Sequence, residues 1–420
     1  MNTSQTAGLN DEPVLQTNGL AAVTLSSVWS DGIAIHKDQK HLERFSAYRE
    51  IDFLPSTIAN KLVGMRAGDE AEQRISADEL VGEWQACRKI ETDVAHFDRN
   101  YRRGPDITPR TGRFYPQGVL HGVGGIFKED ITPIRIVNID QGHLTADPNH
   151  PLARHNISIR LHIDEVLPGC DQCGGRCTSS LDELLKYPGF AAALPDGRET
   201  DFGDDPANMT RQDEQDDEVF YRKARMVQHL DSHALSEINR LYLELIQENS
   251  EVLDLMASYD SHLQDIPMSR LHALGMNADE LAANKAANHR SVHNLNEITR
   301  LPFDDATLDA IVCTASIEYL IHPHSVLQEC LRVLRHDGVL VITFSNRWFP
   351  TKAIHVWSEL HEFERLGMVT QWLHKAGFGD LHTLSSTGWP RPVDDKYASE
   401  MHVADPVYAV WGFKDKVSAG

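Results

Sequence analysis

The sequence predicts an α/β C-terminal half built on a parallel sheet, joined to a smaller, β-rich α+β N-terminal half. Three observations predict it. From Glu251 onward, apolar runs of strand length (EVLDLM, LHALGM, LDAIVCTAS, VLVITFS) are interleaved with helix-like stretches, which is the texture of tandem β-α units. Between residues 20 and 168, period-two alternation and turn residues dominate. At 420 residues and 41% hydrophobic content, the chain can bury two or three real cores.

Taken in order, MNTSQTAGLNDEPVLQ lacks the basic start and apolar core of a signal peptide, and residues 1–19 read as a disordered lead. AVTLSSVWSDG alternates and turns at Asp31-Gly32. LPSTIANKLVGMRAGDE reads as an amphipathic helix ended by a glycine, then a turn at Gly68-Asp69. Residues 83–104 read as a polar, helical insertion. ITPIRIVNID, GHLTAD and ISIRLHIDEV are strand-like, punctuated by Gly142 and the Pro148–Pro151 loop.

Residues 169–245 form a connector. GCDQCGGRC spaces Cys170, Cys173 and Cys177 as Cys-x2-Cys-x3-Cys. Three thiolates suit zinc given a fourth ligand, and the same count suits iron–sulfur, but only one knuckle is present. Free thiols in a Gly-rich loop are the simpler reading, and no metal is predicted. DFGDDPANMTRQDEQDDE is a solvated acidic run. FYRKARMVQHLDSHALSEINRLYLELI has helical spacing, with Val227, Leu230, Leu235, Ile238, Leu241 and Leu245 on one face and Arg225, His229 and Asp231 unusually polar for a packing helix.

A net charge of −22 and a pI near 5.4 repel phosphate backbones, so nucleic acid is not an expected partner. No 18-residue apolar stretch exists, so no membrane span is expected. The six cysteines fit a reducing, cytoplasmic setting better than a disulfide scaffold. A homo-oligomer remains open.

The stretch LPSTIANKLVGMRAGDEAEQRISADELVG, with the later DPNHPLARHNISIRLHIDEVLP, resembles FKBP-type peptidyl-prolyl isomerases of the bacterial kind that carry a flap insertion. The resemblance implies an FKBP-like domain over 20–168. It departs at the active site: Thr57 stands where a large aromatic floors the pocket, Val81 where a Tyr follows the turn, and Arg160 near a Phe of the last strand. Prolyl isomerisation needs a dry aromatic pocket, so a non-catalytic relative is expected.

The stretch LPFDDATLDAIVCTASIEYLIHP, with VLQECLRVLRHDGVLVITFSN, resembles the second half of class I S-adenosylmethionine-dependent methyltransferases of the small-molecule type. This implies a Rossmann-like methyltransferase domain over 246–420 and S-adenosyl-L-methionine as cofactor. VLDL then aligns with the first strand, after which that family turns through Gly-x-Gly; here the turn reads MASYDSH, without glycine. The resemblance places Asp254, Ala257 and Ser258 at the methionine end of the cofactor. Ala257 and Ser258 are small enough for close approach, and Ser258, Ser261 and His262 offer side-chain hydrogen bonds. Gly275 and Asn277 fall at the ribose, where an amide replaces an acid; Asn294 and Leu295 fall at the adenine. Cys313 and Ser316 fall near the transferring methyl. Arg225, in a lid helix, is positioned to meet the methionine carboxylate as a fork.

Tyr259, Tyr319, Asn346, Arg347, Trp348 and Phe349 are the candidate acceptor site, with Lys352, Trp357, His361 and Phe363 close by in sequence. Methyl transfer is an in-line displacement that needs alignment and a dry site. His229 and His262 are the candidate bases, neither marked by a motif. The missing acid–base pair points to a soft acceptor, a small thiol or sulfide. Two alternatives stay open: a non-catalytic protein that binds S-adenosylmethionine, and an FKBP-type isomerase or chaperone.

Overall fold

The computed structural model describes residues 13–103, 106–169, 177–186 and 193–415. The strands in chain order are β1 (Leu20–Ser30), β2 (Ala34–Ser46), β3 (Glu70–Ser76), β4 (Ile90–Asp93), β5 (Phe114–Pro116), β6 (Pro133–Asp140), β7 (His143–Asp147) and β8 (Asn156–Leu167) in the N-terminal half. The C-terminal half adds β9 (Glu251–Leu255), β10 (Arg270–Gly275), β11 (His289–Val292), β12 (Leu308–Thr314), β13 (Leu334–Phe344), β14 (Phe378–Thr387) and β15 (Val407–Lys414).

Eleven of these strands form one sheet in the order β11-β10-β9-β12-β13-β15-β14-β2-β1-β8-β3. From β11 to β13 neighbours run parallel; β15 is antiparallel to both β13 and β14. β10 and β12 flank β9 on opposite sides, so the connection reverses direction there. In open α/β sheets a crevice opens at the carboxyl strand ends at such a point.

The halves share this sheet. β14 pairs in parallel with β2, from Leu381↔Ala34 to Thr387↔Lys40. The contact is also polar in the side chains: His36 Nδ1 lies 2.8 Å from Thr383 Oγ1, and Gln39 Nε2 donates to Ser386 Oγ at 2.9 Å. A second sheet of four strands, β4-β7-β6-β5, occupies the span between β3 and β8. It is tied to the helix Glu362–Ala376 by Arg113, whose guanidinium reaches the buried Glu364 carboxylate at 3.2 Å.

The helices obey local chemistry. Ser232–Leu245 starts on Asp231, whose carboxylate accepts from the Ala234 N–H at 2.9 Å. Pro323 opens Pro323–Val333. Gly377, at φ +102°, ends Glu362–Ala376 in the left-handed region. The largest apolar cluster runs through Leu253, Ile311, Leu340, Trp357 and Trp372, with Phe114, Phe202 and Met209 packed into it.

Four expectations are corrected. Residues 83–104 do not form a helix: they hold β4 and short 3-10 turns, because β4 has a pairing partner in β7. The stretch HSVLQECLRVLRHDG, whose spacing predicts a helix ending at Gly338, is helical only to Val333, and Leu334–Gly338 already belong to β13. Residues 222–230 are not helical, so Arg225 and His229 lie on an irregular segment and Asp231 is a cap. Leu15 is buried, and the backbones of Leu15 and Met65 are hydrogen-bonded, so the described part of the lead is packed. The expected disorder of residues 1–12 lies outside the described residues, as do Cys170 and Cys173; Cys177 is exposed. Among the described residues no helix is long and apolar enough to cross a membrane.

Candidate functional site

A cavity of about 630 Å³ opens at the carboxyl ends of β9, β10, β12 and β13. That volume suits one small ligand or a cofactor with a small partner. Of the residues the sequence offers for cofactor, base and acceptor, these line it: Arg225, His229, Asp254, Ala257, Ser258, Tyr259, His262, Gly275, Asn277, Asn294, Leu295, Ser316, Tyr319, Asn346, Arg347, Trp348 and Phe349; Cys313, Ser261, Lys352, Trp357, His361 and Phe363 do not. Cys313 sits inside β12 with its side chain in the apolar core, fully buried, so it is a packing residue. Alternation along the strand turns it away from the cavity wall.

The turn after β9 shows how the chain manages without glycine. Met256 takes φ +63° and Ala257 donates its N–H to the Leu274 carbonyl at 2.8 Å. The close approach falls on the neighbouring strand. A β-carbon on Gly275 would lie 2.1 Å from the Ala257 carbonyl oxygen, far inside contact distance. The small residue the turn lacks is thus supplied by the end of β10. Asn284 braces the turn from the side, donating to the Ser258 carbonyl at 3.0 Å and to Ser261 Oγ at 2.8 Å. Ser258 Oγ donates to Glu280 at 2.7 Å.

Asp254, on β9, is buried, and its Oδ2 has no hydrogen-bond partner among the described residues. Burial pushes its pKa up to about 8; nearby Asp260 adds to the rise, and a hydrogen bond from Ser261 only partly offsets it. Arg225 shows the opposite situation. Its guanidinium lies over the Phe220 ring at 4.4 Å and within 5.4 Å of the Phe349 ring, and donates to the Phe220 carbonyl at 3.1 Å. Among the described residues no carboxylate pairs with it. One cavity therefore holds an unmatched carboxyl oxygen and an unmatched fork.

His229 stands edge-on to Phe349, 5.1 Å between centroids. Burial, then the charges of Lys396 and Arg225, lower its pKa. Burial lowers His262 as well, against the pull of Asp260. Both imidazoles are therefore neutral near pH 7 and able to accept a proton. The Tyr319 hydroxyl accepts the Phe349 N–H at 2.9 Å, and burial holds its pKa well above the ordinary value. It orders the Phe349 corner of the cavity and stays protonated.

Several candidates have other duties. Asn277 uses its whole amide: the oxygen caps Asp279 and Glu280 at 2.9 and 3.0 Å, and the nitrogen donates to the Tyr221 and Arg222 carbonyls at 2.8 and 3.1 Å. It is a helix cap and a clasp, not a free ribose grip. Arg347 is paired with Asp405 at 2.7 Å. Lys352 is buried against Asp217 and Asp213, and Trp357 is core. His361 and Phe363 stand against a second cavity, at the junction with β2.

Sequence reasoning missed Glu280, Asn284 and the pair Lys396–Tyr397, of which Glu280, Lys396 and Tyr397 line the cavity. For Glu280 a signal existed: Asn277 followed three residues later by Glu has capping-box spacing. Lys396 and Tyr397 come from an irregular segment distant in sequence, which carried no signal.

Residues 257–342 match the family model described as a methyltransferase domain. Among solved structures, a SAM-dependent methyltransferase from Aquifex aeolicus shares 16% identity over 44% of this chain and 90% of its own, at a TM-score of 0.30. One from Archaeoglobus fulgidus shares 13% over 43% of this chain and 94% of its own, at 0.32. No curated protein matches the chain significantly. The match over these residues supports a methyltransferase activity, with S-adenosyl-L-methionine as the cofactor it implies.

Proposed function

We propose that the chain transfers the methyl group of S-adenosyl-L-methionine to a small-molecule nucleophile, a thiol or sulfide, seated between the cofactor and the Asn346–Phe349 corner. The observation that carries this reading is that Asp254, with one carboxyl oxygen unpartnered among the described residues, lines the same cavity as Arg225, whose guanidinium has no carboxylate partner among them. An amino acid end, ammonium plus carboxylate, satisfies both. The residues present therefore fit the methionine moiety of the cofactor.

Bound there, the cofactor supplies an electrophilic methyl carbon on a sulfonium. The chain's own residues bind, align and dry the site. Asp254, once ionised, accepts from the ammonium; Arg225 donates a fork to the carboxylate. Leu295, buried to 4% exposure, offers an apolar surface to a flat ring. Phe349, Trp348, Tyr319 and Tyr397 exclude water from the acceptor end. Neutral His229 would take the acceptor thiol's proton on a ring nitrogen, leaving the sulfur free to accept the methyl group that the cofactor would supply. A thiolate forms so readily that one such base suffices.

We read the N-terminal half as an FKBP-like unit without isomerase activity. In support, Thr57 is exposed, and Arg160 is exposed and paired with Glu72 at 2.8 Å, where an aromatic pocket would need apolar side chains.

Two measurements test the main reading: titration calorimetry with S-adenosylhomocysteine, and mass spectrometry of small thiols incubated with methyl-deuterated cofactor. Binding and a labelled thioether are expected. Absence of binding at millimolar ligand overturns it.

A further inference from the structure

We propose that Glu280, rather than the strand-end residue Asn277, is the group that receives the two ribose hydroxyls of the cofactor. The inference rests on the cofactor reading above and adds which side chain grips the sugar.

The argument is one of hydrogen-bonding capacity. A vicinal diol offers two O–H donors, and a carboxylate accepts both at once. Asn277 stands where the first of the candidate grips was expected, yet its oxygen already takes two N–H groups and its nitrogen already serves two carbonyls. An amide oxygen has two lone pairs and an amide nitrogen two hydrogens, so nothing remains. Glu280 lies one helical turn on, lines the same wall, and is 9% exposed. Its Oε1 accepts the Arg225 main-chain N–H and its Oε2 the Ser258 hydroxyl, each at 2.7 Å. A carboxylate has about four acceptor positions, so one is free on each oxygen. Among the described residues no cation pairs with it. A buried carboxylate held only by neutral donors in a cavity wall is an unusual expense of desolvation, and a ligand diol would relieve it.

The same two contacts give Glu280 a purely structural alternative, as the strut between the β9 turn and the 222–230 segment. The test separates the two. Calorimetry compares S-adenosylhomocysteine with its 2′-deoxy analogue on the full chain. The wild type is expected to prefer the hydroxylated ligand by about tenfold or more, the usual scale for a hydrogen bond to a charged group. Glu280→Gln should bring that preference to about twofold or less. Glu280→Asp, which keeps the charge but withdraws it by one methylene, should do the same and serves if the first variant folds poorly. A strut alone would weaken both ligands equally and keep the ratio. The inference is overturned if Glu280→Gln and Glu280→Asp keep the wild-type ratio. Failure of the wild type to bind either ligand overturns the cofactor reading itself, and this inference with it.

Discussion

Gly275 and Ala257 approach so closely that a β-carbon on Gly275 would sit 2.1 Å from the Ala257 carbonyl oxygen, and 3.3 Å from the Leu281 side chain. The obstacle is backbone in a turn braced by Asn284, so it cannot swing aside. Gly275→Ala is expected to cost about 1–3 kcal/mol of stability through overpacking. It should also displace the Ala257–Ser258 turn and weaken S-adenosylhomocysteine binding. Denaturant unfolding and calorimetry on the same variant check both. Wild-type stability with wild-type affinity would remove the structural substitute for the missing turn glycine.

Asp254 predicts a pH-dependent affinity. Its carboxyl is neutral below about pH 8 in the free protein, because burial opposes the charge. A ligand ammonium prefers the carboxylate. Binding must therefore drive off a proton at neutral pH, and affinity should rise about tenfold per pH unit until it levels near pH 8. Calorimetry in buffers of different ionisation enthalpy should show release of close to one proton at pH 6.5. Asp254→Asn should remove most of the slope. Proton uptake, or a flat profile in the wild type, contradicts the assignment.

How much of this was legible in the sequence follows from which interactions are local. The β9, β10 and β12 strands are apolar runs whose burial follows from composition, and the residues at their carboxyl ends fall into one cavity as a matter of topology. Cys313 was misplaced because a shift of one residue along a strand reverses the side chain. Asn277 looked like a ligand because sequence gives residue type but not occupancy: its four partners include carbonyls from 221 and 222, over fifty positions away. Arg225 and His229 were assigned to a helix because their periodicity is helical, but Asp231 caps the helix behind them. The β2–β14 pairing was invisible, since each half reads as a self-contained pattern and no local signal announces a shared edge.

Stability of the ligand-free protein should fall as the solution becomes more alkaline. Burial raises both Asp254, to about 8, and Glu318, to about 7, and each has an unpartnered carboxyl oxygen. In the unfolded chain both titrate near 4. The folded state thus holds protons that the unfolded state has released. Their contribution is complete below pH 4 and is lost progressively as pH rises through 7 and 8. Thermal unfolding between pH 6 and 9 should show a declining midpoint, flattened in the Asp254→Asn, Glu318→Gln double variant. Saturating S-adenosylhomocysteine should also flatten it, by pairing Asp254. A midpoint that climbs over this range would show that neither acid is protonated in the fold.

The strongest single stability effect is expected at Asp231. Its Oδ1 caps the helix Ser232–Leu245, and its Oδ2 accepts the Asp405 N–H at 2.6 Å and lies 3.4 Å from the Arg391 guanidinium. Asp405 answers by accepting the Asp231 N–H at 3.0 Å and pairing with both Arg391 and Arg347. The Asp231 and Arg391 side chains are at most 1% exposed. Asp231→Ala therefore removes a cap, worth about 1 kcal/mol, and leaves a buried guanidinium short of charge, for which losses run about 3–5 kcal/mol. Asp231→Asn keeps the cap and isolates the charge effect. Because Arg391 retains Asp395 and Asp405, the charge part should fall at the lower end. The network also fastens the segment bearing Lys396 and Tyr397 over the cavity, so the Asn variant should lose ligand affinity as well as stability. Affinity unchanged alongside reduced stability would mean that this segment takes no part in binding.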